Sequence, residues 1–230
     1  MEDATMVNEP PKQSGPAWAL VLSGLFHPLL IATYMYVLLL AINPFLFGSS
    51  GVATPTALLT LIQIFLYTFV IPLVSVLIML ALEMISSVMI EDRTQRIGPL
   101  LLVMVLYFWV TYDLTQSNDI PNIFTVYMIG VVAALSLAFV INVADKISLH
   151  AVGMGGLVGM LLISLALFGG QGLSLGGVTI SLGLVLIVGI LLAGLVGSAR
   201  LVLKAHNGLQ VYMGYMVGFI PQILAYLFYF

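Results

Sequence analysis

From Ala17 onward the chain is a succession of continuous apolar stretches, separated by short clusters of Gly, Pro, Asn and Ser. The stretches run over 17–43, 55–90, 98–114, 122–143, 151–169, 178–199 and 210–229, and clear breaks fall at Asn43 to Gly51, Ser117 to Asn122 and Gly169 to Gly177. Each holds roughly 17 to 36 residues, against the ~20 that a helix needs to cross a hydrocarbon core. Lipid offers the backbone no hydrogen-bond partner, so a crossing segment is a helix or part of a closed barrel. Continuous apolar runs lack the two-residue alternation of barrel strands. The pattern therefore predicts an all-α, polytopic membrane helical bundle of about seven helices, making six or seven spans. The second stretch, at ~1.5 Å per residue, is much longer than a ~30 Å core requires. It is expected to protrude, kinked at Pro72, with Glu83 near its emerging end. Gly155 with Gly159, and Gly214 with Gly218, have the spacing that lets two helices approach closely.

Composition narrows the class further. Of 230 residues, 62% are hydrophobic and 7% charged, where a soluble domain carries about 25% charged side chains, so a water-soluble globule is excluded. Six Lys and Arg against nine Asp and Glu give a formal charge of −3, which offers no basic face to nucleic acid. Cysteine is absent, removing disulfides, thiolate metal sites and cysteine nucleophiles. Residues 1–16, with Glu2, Asp3, Glu9, Lys12, Pro10, Pro11 and Pro16, read as a disordered polar tail. The tail begins with acids and the apolar stretch after it is too long for a secretory signal, so it is expected to stay in the mature protein. Residues 17–230 then form a single transmembrane helical domain.

The charges are not spread evenly. If seven helices alternate in direction, the tail and the connections after the second, fourth and sixth helices share one side. That side holds all six cations: Lys12, Arg93, Arg96, Lys146, Arg200 and Lys204. His150 and His206 lie there too, whereas the opposite connections carry only Asp113 and Asp119. The positive-inside rule produces such a bias and places this face, with the amino terminus, in the cytoplasm. Convergence of three connections on an anion produces it as well, and only that reading gives the histidines a purpose.

Three segments hold the candidate chemistry. In Glu91-Asp92-Arg93-Thr94-Gln95-Arg96, a helical continuation would put Arg93 and Arg96 on one face, able to grip a phosphate together. The plainer reading is a solvated helix end with Glu91 and Asp92 pairing to the arginines. In Asp145-Lys146-Ile147-Ser148-Leu149-His150, Ser148 is an N-cap candidate for a glycine-rich helix whose first free N–H groups favour an anion. The plainer reading makes His150 a structural interfacial histidine. In the segment from Gly197 to Gln210, Arg200 and His206 are separated by five residues, and Asn207-Gly208 supplies a turn before the last helix.

Taken in order, these segments resemble the type 2 phosphatidic acid phosphatase family, membrane relatives of bacterial acid phosphatases and vanadium haloperoxidases. The resemblance covers roughly residues 91 to 220. Arg96 matches the arginine of the family's first block, with Pro99 displaced by two residues; Met89 falls at its lysine, for which Arg93 is the substitute candidate. Ser148 and His150 match the second block, with Ile147 in place of proline and Leu149 in place of glycine. Arg200 and His206 match the third, with Ser198 one place early, and Gln210 stands where the family has aspartate. His27-Pro28 also looks like compact bacterial members.

The resemblance implies a divergent member of that family, a bacterial inner membrane protein with the family's helical core, acting on a phosphorylated lipid, either a monoester or a diphosphate. No metal or other cofactor is implied. His206 would attack phosphorus, His150 would protonate the departing oxygen, and water would hydrolyse the phosphohistidine. Arg96, Arg200, Arg93, Lys146 and Ser148 would hold the phosphate oxygens. Gln210 can accept a hydrogen bond from the nucleophile's second nitrogen but lacks the aspartate's charge, and an Asp-to-Asn change in a serine-protease triad costs about 10⁴-fold in kcat. Asp145 or Asp92 is a substitute carboxylate if the loops fold together. The alternative is a catalytically silent relative that binds a phosphorylated lipid or serves as a membrane scaffold. A small transporter fits less well, because the ionisable groups gather at one face rather than near the midplane. The oligomeric state is not legible.

Overall fold

The computed structural model describes residues 15–87, 90, 92–117, 120–175 and 178–230. The greater part of the expected tail, Met89, Glu91 and Asp119 lie outside them. Eight helices occur among the described residues: α1 Ala17–Leu25, α2 Pro28–Ile42, α3 Pro55–Ala81, α4 Ile97–Gln116, α5 Asn122–Ala144, α6 Leu149–Phe168, α7 Leu182–Val202 and α8 Gly208–Tyr229. Helices α3 to α8 are long and apolar enough to cross a membrane, six in all, and α1 with α2 would make a seventh, bent span. The chain is thus a helical bundle compatible with an integral membrane protein.

The first apolar stretch is two helices, meeting at 59°. Pro28 has no N–H and drives the preceding residue into extended conformation, and His27 adopts φ −59° and ψ 135°. Its Nδ1 accepts the Leu29 N–H at 3.4 Å, capping α2. The second stretch ends at Ala81, nine residues before the expected limit of 90. Glu83 takes a left-handed φ of 57°, and the Met84 N–H turns back to the Met79 carbonyl at 2.9 Å, which closes the helix. Inside α3, Pro72 is absorbed by a π turn over Leu66–Val70. Proline supplies no N–H to the carbonyl four residues back, and that carbonyl, on Thr68, instead accepts the buried Tyr107 hydroxyl at 2.8 Å. The connection between α6 and α7, expected as a loop, contains an antiparallel hairpin of β1 Gly172–Leu175 and β2 Val178–Ser181. Helix α7 accordingly starts at Leu182, four residues later than expected, with the Ser181 hydroxyl accepting from the Leu184 N–H.

Helices α6 and α8 run parallel and form the most extensive pairing in the bundle. All four glycines of the two short-spacing pairs lie in this seam. A Cβ on Gly218 would run into the Val152 carbonyl, one on Gly155 into the Tyr215 carbonyl, and one on Gly214 into Ala151 and the Ser148 carbonyl. The seam brings the amino-terminal ends of α6 and α8 together, and the Ser148 N–H donates to the Gln210 carbonyl across it at 3.3 Å.

Gly218→Ala is expected to destabilise the detergent-solubilised protein by roughly 1–3 kcal/mol, the usual cost of overpacking. Gly194→Ala, on α7 where an added Cβ meets nothing within 4 Å, is expected to be neutral or slightly stabilising. Thermal unfolding of the two variants checks the contrast.

Candidate functional site

Each functional side chain is placed by a helix end. Ser148 caps α6, its hydroxyl accepting the Ala151 N–H at 3.4 Å. Lys204, at a left-handed φ of 52°, ends the turn after α7, and the Ala205 N–H bonds back to the Arg200 carbonyl at 3.2 Å. Asn207 and Gln210 then form a reciprocal capping box at the start of α8. The result holds Arg200, in the last turn of α7, and His206, three residues before Leu209, on the same end of the bundle as His150 in the first turn of α6.

These groups meet around one cavity of about 590 Å³. Arg96 reaches it from the start of α4, Arg200 from α7, His150 from α6, His206 from the α7–α8 turn, and Ser23 with His27 from the break between α1 and α2. Its remaining walls are mainly apolar, and among the described residues no Asp or Glu lines it. The Arg200 Nη1 donates to the Ser23 hydroxyl at 3.2 Å, while its Nε is buried without a hydrogen-bond partner among the described residues. Arg96 donates through Nε to the Ile90 carbonyl at 2.8 Å and through Nη1 to the Ile147 carbonyl at 3.5 Å. His150 Nε2 lies 3.0 Å from the Ser23 carbonyl, which can only accept, so Nε2 carries a proton and Nδ1 is the nitrogen left for a ligand. The rings of His27 and His150 stand edge to face, their centroids 5.8 Å apart. Two guanidiniums in a mainly apolar enclosure, with no acidic neighbour among the described lining residues, form an arrangement that favours an anion.

His206 is 8% exposed, and its Nδ1 lies 3.1 Å from Gln210 Oε1. The amide orientation of Gln210 is set twice over. Oε1 accepts the Asn207 N–H at 3.3 Å, and Nε2 donates to Asp145 Oδ1 at 3.2 Å. Nδ1 of His206 is therefore the protonated nitrogen, and Nε2 keeps a lone pair. Burial first, and the Arg96 charge second, hold the His206 pKa down to about 4.

The other expected anion ligands lie elsewhere. Arg93 and Arg96 sit in the turn before α4 rather than on a helix, and they diverge. The Arg93 Nη1 donates to the Ala144 and Val143 carbonyls at the end of α5, satisfying orphan acceptors there. Asp92 takes the N–H and hydroxyl of Thr94 at 2.9 and 2.8 Å, rather than an arginine, and these bonds hold its carboxyl below the usual range. Ser148 is fully buried, with its hydroxyl committed to the cap. Neither it, Lys146, Arg93 nor Gln210 lines the cavity. Of the two carboxylates considered as substitutes, Asp145 is the one that joins His206, through Gln210. Ser23 and Gln222, which also line the cavity, were not foreseen; a glutamine inside a membrane-spanning stretch was the available signal for the second. Among the described residues no cluster of three or more His, Asp, Glu or Cys is arranged to hold a metal ion.

No protein-family model, curated protein or solved structure matches the chain.

In ¹⁵N-histidine NMR of the solubilised protein, the His206 ring is expected to stay neutral and Nδ1-protonated at pH 6, accepting a second proton only near pH 4. Arg96→Gln removes a repelling charge and should move that titration upward, toward the ordinary 6.5. A His206 titration at 6.5 in the unmodified protein would contradict the geometry.

Proposed function

We propose that the cavity binds the phosphate of a lipid phosphate or diphosphate and hydrolyses it through a phosphohistidine on His206, in a bacterial inner membrane protein with a type 2 phosphatidic acid phosphatase-like core. One observation carries the reading: Arg96, Arg200, His150 and His206 line a single mainly apolar cavity, and no carboxylate is among its described lining residues. The guanidiniums offset the charge of the phosphate oxygens and of the transition state. The apolar walls receive the lipid chain, which reaches the site laterally between helices. His206 Nε2 attacks phosphorus as its bond to the leaving oxygen breaks. The lipid phosphate enters as its monoanion, whose proton passes to His150 Nδ1 and from there to the departing oxygen, while the Ser23 carbonyl accepts the Nε2 proton. Water then attacks phosphorus as the N–P bond breaks, giving one proton to His150 Nδ1 and returning the lone pair to His206 Nε2 as phosphate leaves. Throughout, Gln210 holds the His206 ring by its Nδ1 proton and passes part of the Asp145 charge through its own amide dipole.

The second reading, binding of a phosphorylated lipid without turnover, is favoured by the same Gln210. A neutral amide next to the imidazole stabilises the developing imidazolium less than a carboxylate would.

Purified protein is expected to release inorganic phosphate from a lipid phosphate in mixed micelles. His206→Ala should abolish release, and Arg200→Ala should lower it by about 10²–10³-fold, as loss of a transition-state donor does. Equal rates for His206→Ala and the unmodified protein would eliminate the mechanism. Saturable binding without release, lost in Arg200→Ala, would select the second reading.

A further inference from the structure

A third histidine, His27, lines the cavity beside Arg200, His150 and His206 and takes no part in the chemistry proposed for them. The break between α1 and α2 brings it there. Its level in the bundle is set by packing, since a Cβ on Gly153 would lie 3.6 Å from the Pro28 Cα. Gly153 is three residues beyond His150 on α6, or roughly 4.5 Å of helix rise. The break therefore crosses α6 within one turn of His150, among the cationic groups. The His27 ring stands edge to face with His150 and lies within electrostatic reach of Arg200.

The two nitrogens of this ring are differently engaged. Nδ1 accepts the Leu29 N–H as the cap of α2. A neutral imidazole that accepts at one nitrogen carries its proton on the other, so Nε2 is a donor. Among the described residues Nε2 makes no hydrogen bond. The Arg200 Nε also lacks such a partner but is sealed by packing, whereas the His27 Nε2 keeps accessible surface. Ser23, the other polar side chain from this break, is engaged: its hydroxyl accepts from Arg200 and its carbonyl from His150. Capping α2 needs only one acceptor, which Asn or Ser supplies as well, so the cap leaves the second nitrogen unexplained. A partly buried N–H without an acceptor carries a desolvation cost that an anionic oxygen removes.

We infer that His27 is a phosphate ligand, its Nε2–H donating to an oxygen of the phosphate that Arg96 and Arg200 hold. The inference rests on the lipid phosphate reading above and adds a residue to that site. Because the cap fixes the tautomer, His27 offers its ligand a donor and no acceptor. An unprotonated phosphate oxygen, which only accepts, is the complement of such a group, and an ammonium head is not. The elbow between α1 and α2 thereby supplies a ligand as well as a wall.

The test uses the full chain in detergent micelles with hexadecyl phosphate as the probe. His27→Asn keeps an acceptor where the cap needs one and removes the Nε2 donor. His27→Gln can place an amide N–H near the Nε2 position but is not a favoured cap. His27→Asn is expected to keep the thermal stability of the unmodified protein and to bind the probe roughly 10- to 100-fold more weakly, as loss of one hydrogen bond to a charged group does. His27→Gln should be less stable and yet bind more tightly than His27→Asn. In ¹⁵N-histidine spectra of the unmodified protein, the His27 Nε2–H signal should shift when the probe binds. Unchanged affinity in His27→Asn would overturn the inference, as would affinities that follow thermal stability across the two variants, or a His27 signal that ignores bound probe. If Arg200→Ala weakens binding and His27→Asn does not, the lipid phosphate reading stands without this ligand. If the probe fails to bind the unmodified protein, both fall.

Discussion

The arrangement turns on two positive charges that no described residue lining their enclosure neutralises. Arg96 and Arg200 come from distant parts of the chain and enter one mainly apolar enclosure whose described lining residues include no carboxylate. Burying a guanidinium in such surroundings is costly unless it is hydrogen-bonded and balanced by an opposite charge. The hydrogen bonds are partly supplied, by the Ser23 hydroxyl and by carbonyls of Ile90 and Ile147. No described residue that lines the enclosure supplies the opposite charge. Burial first, and the Arg96 charge second, hold the His206 pKa down to about 4, so the surroundings that favour an anion also leave a ring nitrogen with a lone pair.

What allows that field to exist is the close approach of α6 and α8. With no hydrophobic force between helices in lipid, small residues and backbone contact hold them together. The four seam glycines let the two amino-terminal ends align so that Ser148 bonds to Gln210. His150 and His206 follow from that register, one in the first turn of α6 and the other just before α8. The remaining walls come from places where a helix is interrupted. Pro28 splits the first stretch and turns Ser23 and His27 toward the cavity, and a left-handed Lys204 ends the turn that returns His206 to it.

The contact between His206 and Gln210 shows how a neutral residue can stand beside an imidazole and still be coupled to a charge. The amide accepts on one side and donates on the other, so Asp145 lies one residue removed from the imidazole. The tautomer is fixed as firmly as by a carboxylate, because a carbonyl oxygen accepts only N–H. The electrostatic support is weaker, since the charge is farther away and Asp145 is exposed.

The membrane class, the number of apolar helices and the cationic end were legible in the sequence, because lipid leaves a continuous apolar run of this length little choice but a helix. The capping role of Ser148 was local enough to be read from a few residues, and so were the turn at Asn207-Gly208 and the close packing at the paired glycines. Helix limits were less so: the end of α3 and the split at His27 depend on single backbone conformations, and the hairpin over 172–181 on pairing between segments. The choice among the cations was settled only in three dimensions. Arg93 and Arg96 are three residues apart in a turn, yet one serves the carbonyls ending α5 and the other enters the cavity. Asp145 rather than Asp92 joins His206 through Gln210, and Gln222, far along α8, packs beside the same space. A sequence fixes which charges are available and which segments must be helical, but which charges share a low-dielectric volume depends on how helices far apart in the chain pack against one another.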